Sequence, residues 1–270
     1  APMPDAFRIE KDPLGPLEVP ADALYGVQTL RARQNFPISG LAPLWPFVQA
    51  QVWIKKAAAL THKETGRLDA KVADAIVQAA DEVLARKHDA HFVVDPYQAG
   101  AGTSHNMNVN EVLANRANEL LGGRRGTYQP VHPNDHVNMA QSTNDTIPTA
   151  IRLSCLAELR GLVRAFESLR DAFAAKGRAF DGVVKAGRTH LQDAMPIRLG
   201  QEFAAYAGTL DRGLRRVVQM ADYLRDLGIG GSAVGTGVTV EPEYPELMNK
   251  HLRAISGLEV RIGIDRVQLM

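Results

Sequence analysis

The sequence predicts an all-α protein with minor short strands near its N-terminus, and three observations carry that expectation. Apolar residues recur at helical spacing, with abundant Ala, from about Trp45 to Thr65 and again from Asp69 to Lys87. The second half holds two apolar-periodic runs of bundle length, one starting near Pro148 and one after Pro196. Pro and Gly crowd the opening through Gly40, which reads as an arm with extended pieces around Phe7 to Ile9 and Leu17 to Val19.

Taken in order, the arm leads into the two Ala-rich helices, then into a polar, Gly-containing segment from Asp95 to His105. A helix from about Ser104 to Leu121 follows, stopped by Gly122 and Gly123. After a loop containing VHPNDH, the stretch QSTNDTIPTA puts capping residues just ahead of Pro148, with Pro148 expected in the first helical turn. That helix runs through Leu153, Leu156, Leu159 and Leu162 towards Lys176, with a break near Asp181. GRTHLQDAMPI places Asp193 and Pro196 ahead of another helical run ending near Leu227. A Gly-rich loop, GIGGSAVGTGV, precedes a short helix around Pro245 to Ile255. Two domains are expected, residues 1–143 with the extended arm and residues 144–270 as the front portion of a helical bundle.

The chain has 270 residues, 45% of them hydrophobic, which is ample for a buried core. With 31 basic and 30 acidic residues, the formal charge of +1 excludes the broad positive field that nucleic-acid binding requires. Arg124 with Arg125, and Arg212 with Arg215 and Arg216, read as solvated surface. The single cysteine, Cys155, rules out an intrachain disulfide and reads as a small core hydrophobe. APMPDAFRIEKD has no secretory character, and no stretch is long and apolar enough to cross a bilayer, so a cytoplasmic location is expected.

Three polar segments each precede or open an expected helix: AGTSHNMN, QSTND and GRTHLQDA. A helix start offers unpaired amides and the positive end of a dipole, so hydroxyl and amide side chains placed there can hold a carboxylate without a metal, and three such ends meeting in space would make a compact site for a small dianion. Ser142, Thr143, Asn144 and Asp145 are more polar residues than capping needs, although capping explains one or two. Asn106, Asn108, Asn110 and Asn115 read as functional, because Asn is a poor helix former and an exposed face favours Glu or Lys. His190, beside Thr189, is a candidate to bind or protonate a substrate. His132, Asn134 and Asp135 read as turn chemistry. The closest-spaced histidines, His88 with His91 and His132 with His136, form no HExxH pattern, and there is no Cys cluster, so no metal is expected. The Gly-rich loop lacks the Lys-Ser/Thr ending of a P-loop.

The stretches VPADALYGVQTLRA, NFPISG, AGTSHNMNVNEVLANRA, VHPNDHVNMAQSTNDTIPTA and GRTHLQDAMPIRLGQEFAAYA together resemble the aspartase/fumarase superfamily over essentially the whole chain. The resemblance implies a helical homotetramer with active sites shared between subunits, and a reversible elimination yielding fumarate without metal or organic cofactor. A base would remove a proton beside one carboxylate, giving a dianionic aci-carboxylate, before ammonia or water leaves. By the same resemblance Thr103, Ser104, Ser142, Thr143 and Asn144 would bind one carboxylate and the leaving group. Thr189 and His190 would act catalytically at the other end of the substrate. His132, Asn134 and Asp135 match the place where some fumarases bind a second dicarboxylate.

Within the superfamily, YGVQTLRA, the GTS at Gly102 to Ser104, and Thr143 in QSTND look more like aspartases, and L-aspartate is the expected substrate. Fumarate hydratase is the close alternative, since fumarases carry His at the place of His190. A noncatalytic, oligomeric carboxylate-binding module is the alternative of another class. His105 matches neither enzyme closely, and Thr239 departs from the family's hydrophobic residue after GTG. The family's proton-abstracting Ser lies on a loop reading roughly GSS-x-M-P-x-K-x-N, which does not occur up to Met270. The expectation is therefore a portion of a longer protein, with no efficient turnover from this portion alone.

Overall fold

A computed structural model describes residues 7–270; the first six, which open the segment read as free of a secretory signal, lie outside the described residues. The order is β1 (Phe7–Asp12), β2 (Gly15–Pro20), α1 (Val27–Asn35), α2 (Trp45–Glu64), α3 (Ala70–Leu84), α4 (Thr103–Leu120), α5 (Thr143–Ala179), β3 (Val184–Thr189), β4 (Gln192–Arg198), α6 (Leu199–Leu224), β5 (Asp226–Leu227), α7 (Tyr244–Ser256) and β6 (Arg261–Ile262). The all-α expectation with minor strands holds, since among the described residues the strands form three two-stranded pairs. No described helix is long and apolar enough to cross a membrane.

Two compact units divide the described residues, one formed by those up to Cys155 together with 225–270 and the other by residues 156–224. In the first, α2, α3 and α4 bury Val48, Val52, Ile76, Ala80, Val109 and Leu113 in one core. Each fully buried Val, Ile or Leu side chain among them contributes roughly 1.5–3 kcal/mol. Asp69 caps α3 by accepting the N–H groups of Lys71 and Val72, and Gly257, at φ +68°, ends α7.

The opening is more ordered than an arm. β1 and β2 pair antiparallel, and YGVQTLRA folds into α1. Its first-turn amides are satisfied by two distant buried acids rather than by a local cap. Glu111 accepts from the N–H groups of Gly26 (2.8 Å), Gln28 (3.0 Å) and Thr29 (3.0 Å), and from the Thr29 hydroxyl (2.6 Å). Glu10 accepts from the Val27 N–H at 2.8 Å. Because both acids come from elsewhere in the chain, local sequence carries no start signal for this helix.

In the second unit α5 and α6 cross closely, and a Cβ on Gly200 would collide with the Gly177 carbonyl. Phe173, Phe180, Phe203 and Tyr206 form an aromatic cluster with ring centroids 5.5–6.0 Å apart. Asp193 and Pro196 do precede α6, which starts at Leu199, but they lie in β4. Two local expectations are corrected. Pro148 sits in the second turn of α5, because the helix already starts at Thr143. Cys155 is exposed on α5 rather than buried, since it lies off the stripe that buries Leu153.

Candidate functional site

Two of the three polar segments do open helices, and within the first unit those starts adjoin. Gly102, at φ +78°, turns the chain into α4, and a Cβ there would come within 2.9 Å of Ile147 on α5. The Thr146 hydroxyl of α5 donates to the side-chain Oδ1 of Asn106 on α4 at 3.3 Å. Thr103 and Ser104 are thus the first two residues of α4, beside the start of α5 at Thr143.

Ser142 is the cap of α5. Its hydroxyl accepts from the Asn144 N–H (3.2 Å), while Asp145 reaches back to the Ser142 N–H (2.9 Å). This reciprocal arrangement is a capping box with Asp in place of Glu. It gives Ser142 and Asp145 a structural role, although the Ser142 hydroxyl only accepts in the cap and keeps its own proton to donate, and it leaves Thr143 and Asn144 to be explained. Asn144 is exposed and donates through Nδ2 to the Ala233 carbonyl at 2.7 Å.

Behind these starts lies a charged group absent from the residues picked out by sequence. Lys55, on α2, is wholly buried, and its ammonium donates to the side-chain oxygens of Asn106 (2.6 Å), Asn138 (2.8 Å) and Gln141 (2.9 Å). All three donors are spent on acceptors next to the two helix starts. Burial lowers its pKa to about 7, against the opposing attraction of Asp145. Burial likewise pushes the Asp145 carboxyl up to about 6, opposed by its bonds to the amides of Ser142, Ser232 and Gly230 and by Lys55. The sequence did carry a signal: Lys55 follows Gln51 by four and Phe47 by eight residues, in phase with the buried stripe of α2, whereas Lys56 faces out to Asp81.

The asparagines divide by role. Asn106 and Asn110 both donate to Asn138 at 3.2 Å and belong to the Lys55 cluster. Asn108 and Asn115 are corrected to structural pins. Asn108 holds His91 and Val93 through their backbone, and Asn115 holds Leu24 and Gly126. They are buried, so their amides replace backbone partners that loops cannot supply. His105 is buried, stacked on Phe47 at 4.6 Å, and forms part of the wall of a cavity of about 300 Å³ with Gly102 and Ile147. Burial drives its pKa down to about 3, so it is a neutral imidazole.

The third segment does not open a helix. Thr189 ends β3 and pairs with Gln192, leaving His190 and Leu191 as a two-residue hairpin turn at φ +48° and +61°. Such turns favour Asn-Gly, so His-Leu gives no turn signal, and two non-Gly residues at positive φ store backbone strain. Thr189 and His190 are exposed and belong to the second unit. His132 precedes a π-helical turn, Pro133–Val137, and its Nδ1 accepts from the N–H groups of Asn134 and Asp135 at 3.2 Å. Asn134 and Asp135 are exposed there. Among the described residues no group of three or more His, Cys, Asp or Glu side chains is placed to hold a metal ion.

The comparisons with known proteins agree with this architecture. A family model described as lyase matches residues 15–267. Aspartate ammonia-lyase of Bacillus subtilis is 49% identical over 97% of this chain and 55% of its own length. Class II fumarate hydratase of Halobacterium salinarum is 51% identical over 96% of this chain and 55% of its own. The structure of a fumarate lyase:delta crystallin from Brucella melitensis bound to cobalt superimposes with TM-score 0.90 at 46% identity, covering 97% of this chain and 57% of that one. A class II fumarase from Schistosoma mansoni superimposes with TM-score 0.88 at 34% identity, covering 98% of this chain and 59% of that one. The chain spans about half the length of the curated relatives it matches. With nearly its whole length matched by the family model and by relatives of both kinds, the chain belongs to the lyase family of aspartases and class II fumarases.

Proposed function

We propose that this chain supplies the carboxylate- and leaving-group-binding part of a lyase active site that interconverts L-aspartate with fumarate and ammonia. The observation that supports the reading is the approach of the α4 and α5 starts, where Gly102 packs on Ile147 and the Thr146 hydroxyl reaches Asn106; Thr103, Ser104, Thr143 and Asn144 lie in the first turns of those two helices. First-turn amides lack intrahelical partners, and two dipole ends favour a dianion. Removing a proton beside a carboxylate builds a second negative charge on that group, and donors fixed in advance stabilise it more than they stabilise the substrate. Thr103, Ser142 and Thr143 offer hydroxyl donors to the charged oxygens. Asn144 spends one N–H on Ala233, which leaves its Oδ1 as an acceptor for the departing ammonium or water. Thr189 and His190, on the strained hairpin, serve the other end of the substrate in a complete assembly. His132, Asn134 and Asp135 form a second, outer carboxylate site in this reading.

Self-assembly into a tetramer with shared sites is part of the same proposal. Leu162 and Leu169 on α5 and Tyr206, Val218 and Met220 on α6 are exposed by 45–55%, and apolar helix faces of this kind favour burial against further copies.

Hydration of fumarate to malate is the second reading, favoured by the 51% identity to the Halobacterium fumarate hydratase. The ultraviolet absorbance of fumarate, followed with protein expressed from the intact gene, separates the two. Fumarate formation from aspartate is expected, and activity on malate alone overturns the preference. Activity on neither would favour a noncatalytic carboxylate-binding module.

A further inference from the structure

The Asp145 carboxylate does more than close the cap of α5. It is fully buried, and while its Oδ1 takes the Ser142 N–H, its Oδ2 accepts from the N–H groups of Gly230 (3.2 Å) and Ser232 (3.0 Å) in the Gly-rich loop. That loop needs holding, because Gly230, Ser232, Gly235 and Gly237 all sit at positive φ, from +58° to +89°. It is also packed tightly: a Cβ on Gly230 would come within 2.7 Å of Pro245, and one on Gly235 within 2.5 Å of the Val267 backbone. The residue after Ser232 is Ala233, whose carbonyl receives the Asn144 amide at 2.7 Å. One carboxylate thus sets both the helix start that carries Asn144 and the loop carbonyl that decides which way its amide faces. An exposed Asn without such a partner rotates freely and offers donor or acceptor alike.

We propose that Asp145 is a positioning residue for leaving-group recognition: by fixing the Gly230–Ala233 turn it holds the Asn144 amide with Oδ1 towards the amino or hydroxyl group that the reaction expels. The inference rests on the role given to Asn144 under Proposed function. Asp145→Asn keeps the shape but turns one acceptor into a donor, so either Ser142 or the loop amides lose their partner.

The test uses the enzyme from the intact gene with whichever of aspartate or malate it turns over. Asp145→Asn should lower kcat about tenfold or more. The Kd of succinate, which has no leaving group, should change by less than about twofold. Asp145→Asn combined with Asn144→Ala should be no slower than Asn144→Ala alone. An unchanged kcat, a parallel loss of succinate binding, or effects that add in full would overturn the proposal. If the variant does not fold, amide hydrogen exchange in the wild-type enzyme decides: Gly230 and Ser232 should be protected, and open-loop exchange rates at both would sink the idea. A normal kcat in Asn144→Ala, by contrast, removes the role given to Asn144 itself and is read without touching Asp145.

Discussion

Glu111→Gln offers the sharpest test of how the motif YGVQTLRA is held. Glu111 is fully buried, and its two oxygens accept four hydrogen bonds at the start of α1, three at Oε2 and one at Oε1. Glutamine retains one oxygen. Turned to keep the three bonds to Gly26 and Thr29, it sets its NH2 against the Gln28 N–H, donor facing donor. An unsatisfied donor costs about 1–3 kcal/mol, and loss of the charge at a helix start costs up to about 2 kcal/mol more. Burial raises the pKa of this carboxyl, so removing the buried charge returns part of that cost. The net expectation is a destabilisation of about 2 kcal/mol. Both tryptophans, Trp45 and Trp53, lie on α2 in the same unit, so urea denaturation followed by tryptophan fluorescence reports on this region. A loss below about 0.5 kcal/mol at unchanged m-value would refute the claim that this carboxylate replaces a local cap.

Thr103→Ala and Ser142→Ala should each weaken succinate binding by about 1–3 kcal/mol, measured by calorimetry, since each removes a donor to a charged oxygen; unchanged affinity in both counts against the carboxylate site. Asp145 has its folded pKa raised to about 6 from an ordinary 3.8, so the folded state keeps its proton longer than the unfolded state does. Its contribution to stability therefore declines as pH rises from about 4 to about 6, and denaturation midpoints of Asp145→Asn should lack that part of the decline. His190→Asn should change the pH profile of kcat/KM in the complete enzyme, whereas superimposable profiles would reduce His190 to a residue that only shapes the hairpin turn.

What the sequence by itself determined is what near neighbours along the chain can enforce. Helical periodicity located α2, α3, α4 and α7, and local capping chemistry located the start of α5, because those signals act over one or two turns. The polar runs that begin at Thr103 and Ser142 were legible for the same reason, with Thr143 and Asn144 in excess of what the cap uses. Tertiary structure decided the rest. α1 exists because Glu10 and Glu111 reach it from remote positions, and the buried Lys55 becomes a hub because α4 and the loop before α5 bring three side-chain oxygens to it. Asn108 and Asn115 look functional in sequence and are pins in space, since their partners are backbone groups 11 to 91 residues away. The hairpin at Thr189 and His190 likewise depends on cross-strand pairing, which overrides the weak turn propensity of His-Leu. A pattern one turn long is written in adjacent residues, whereas a buried charge is placed by partners that only folding assembles.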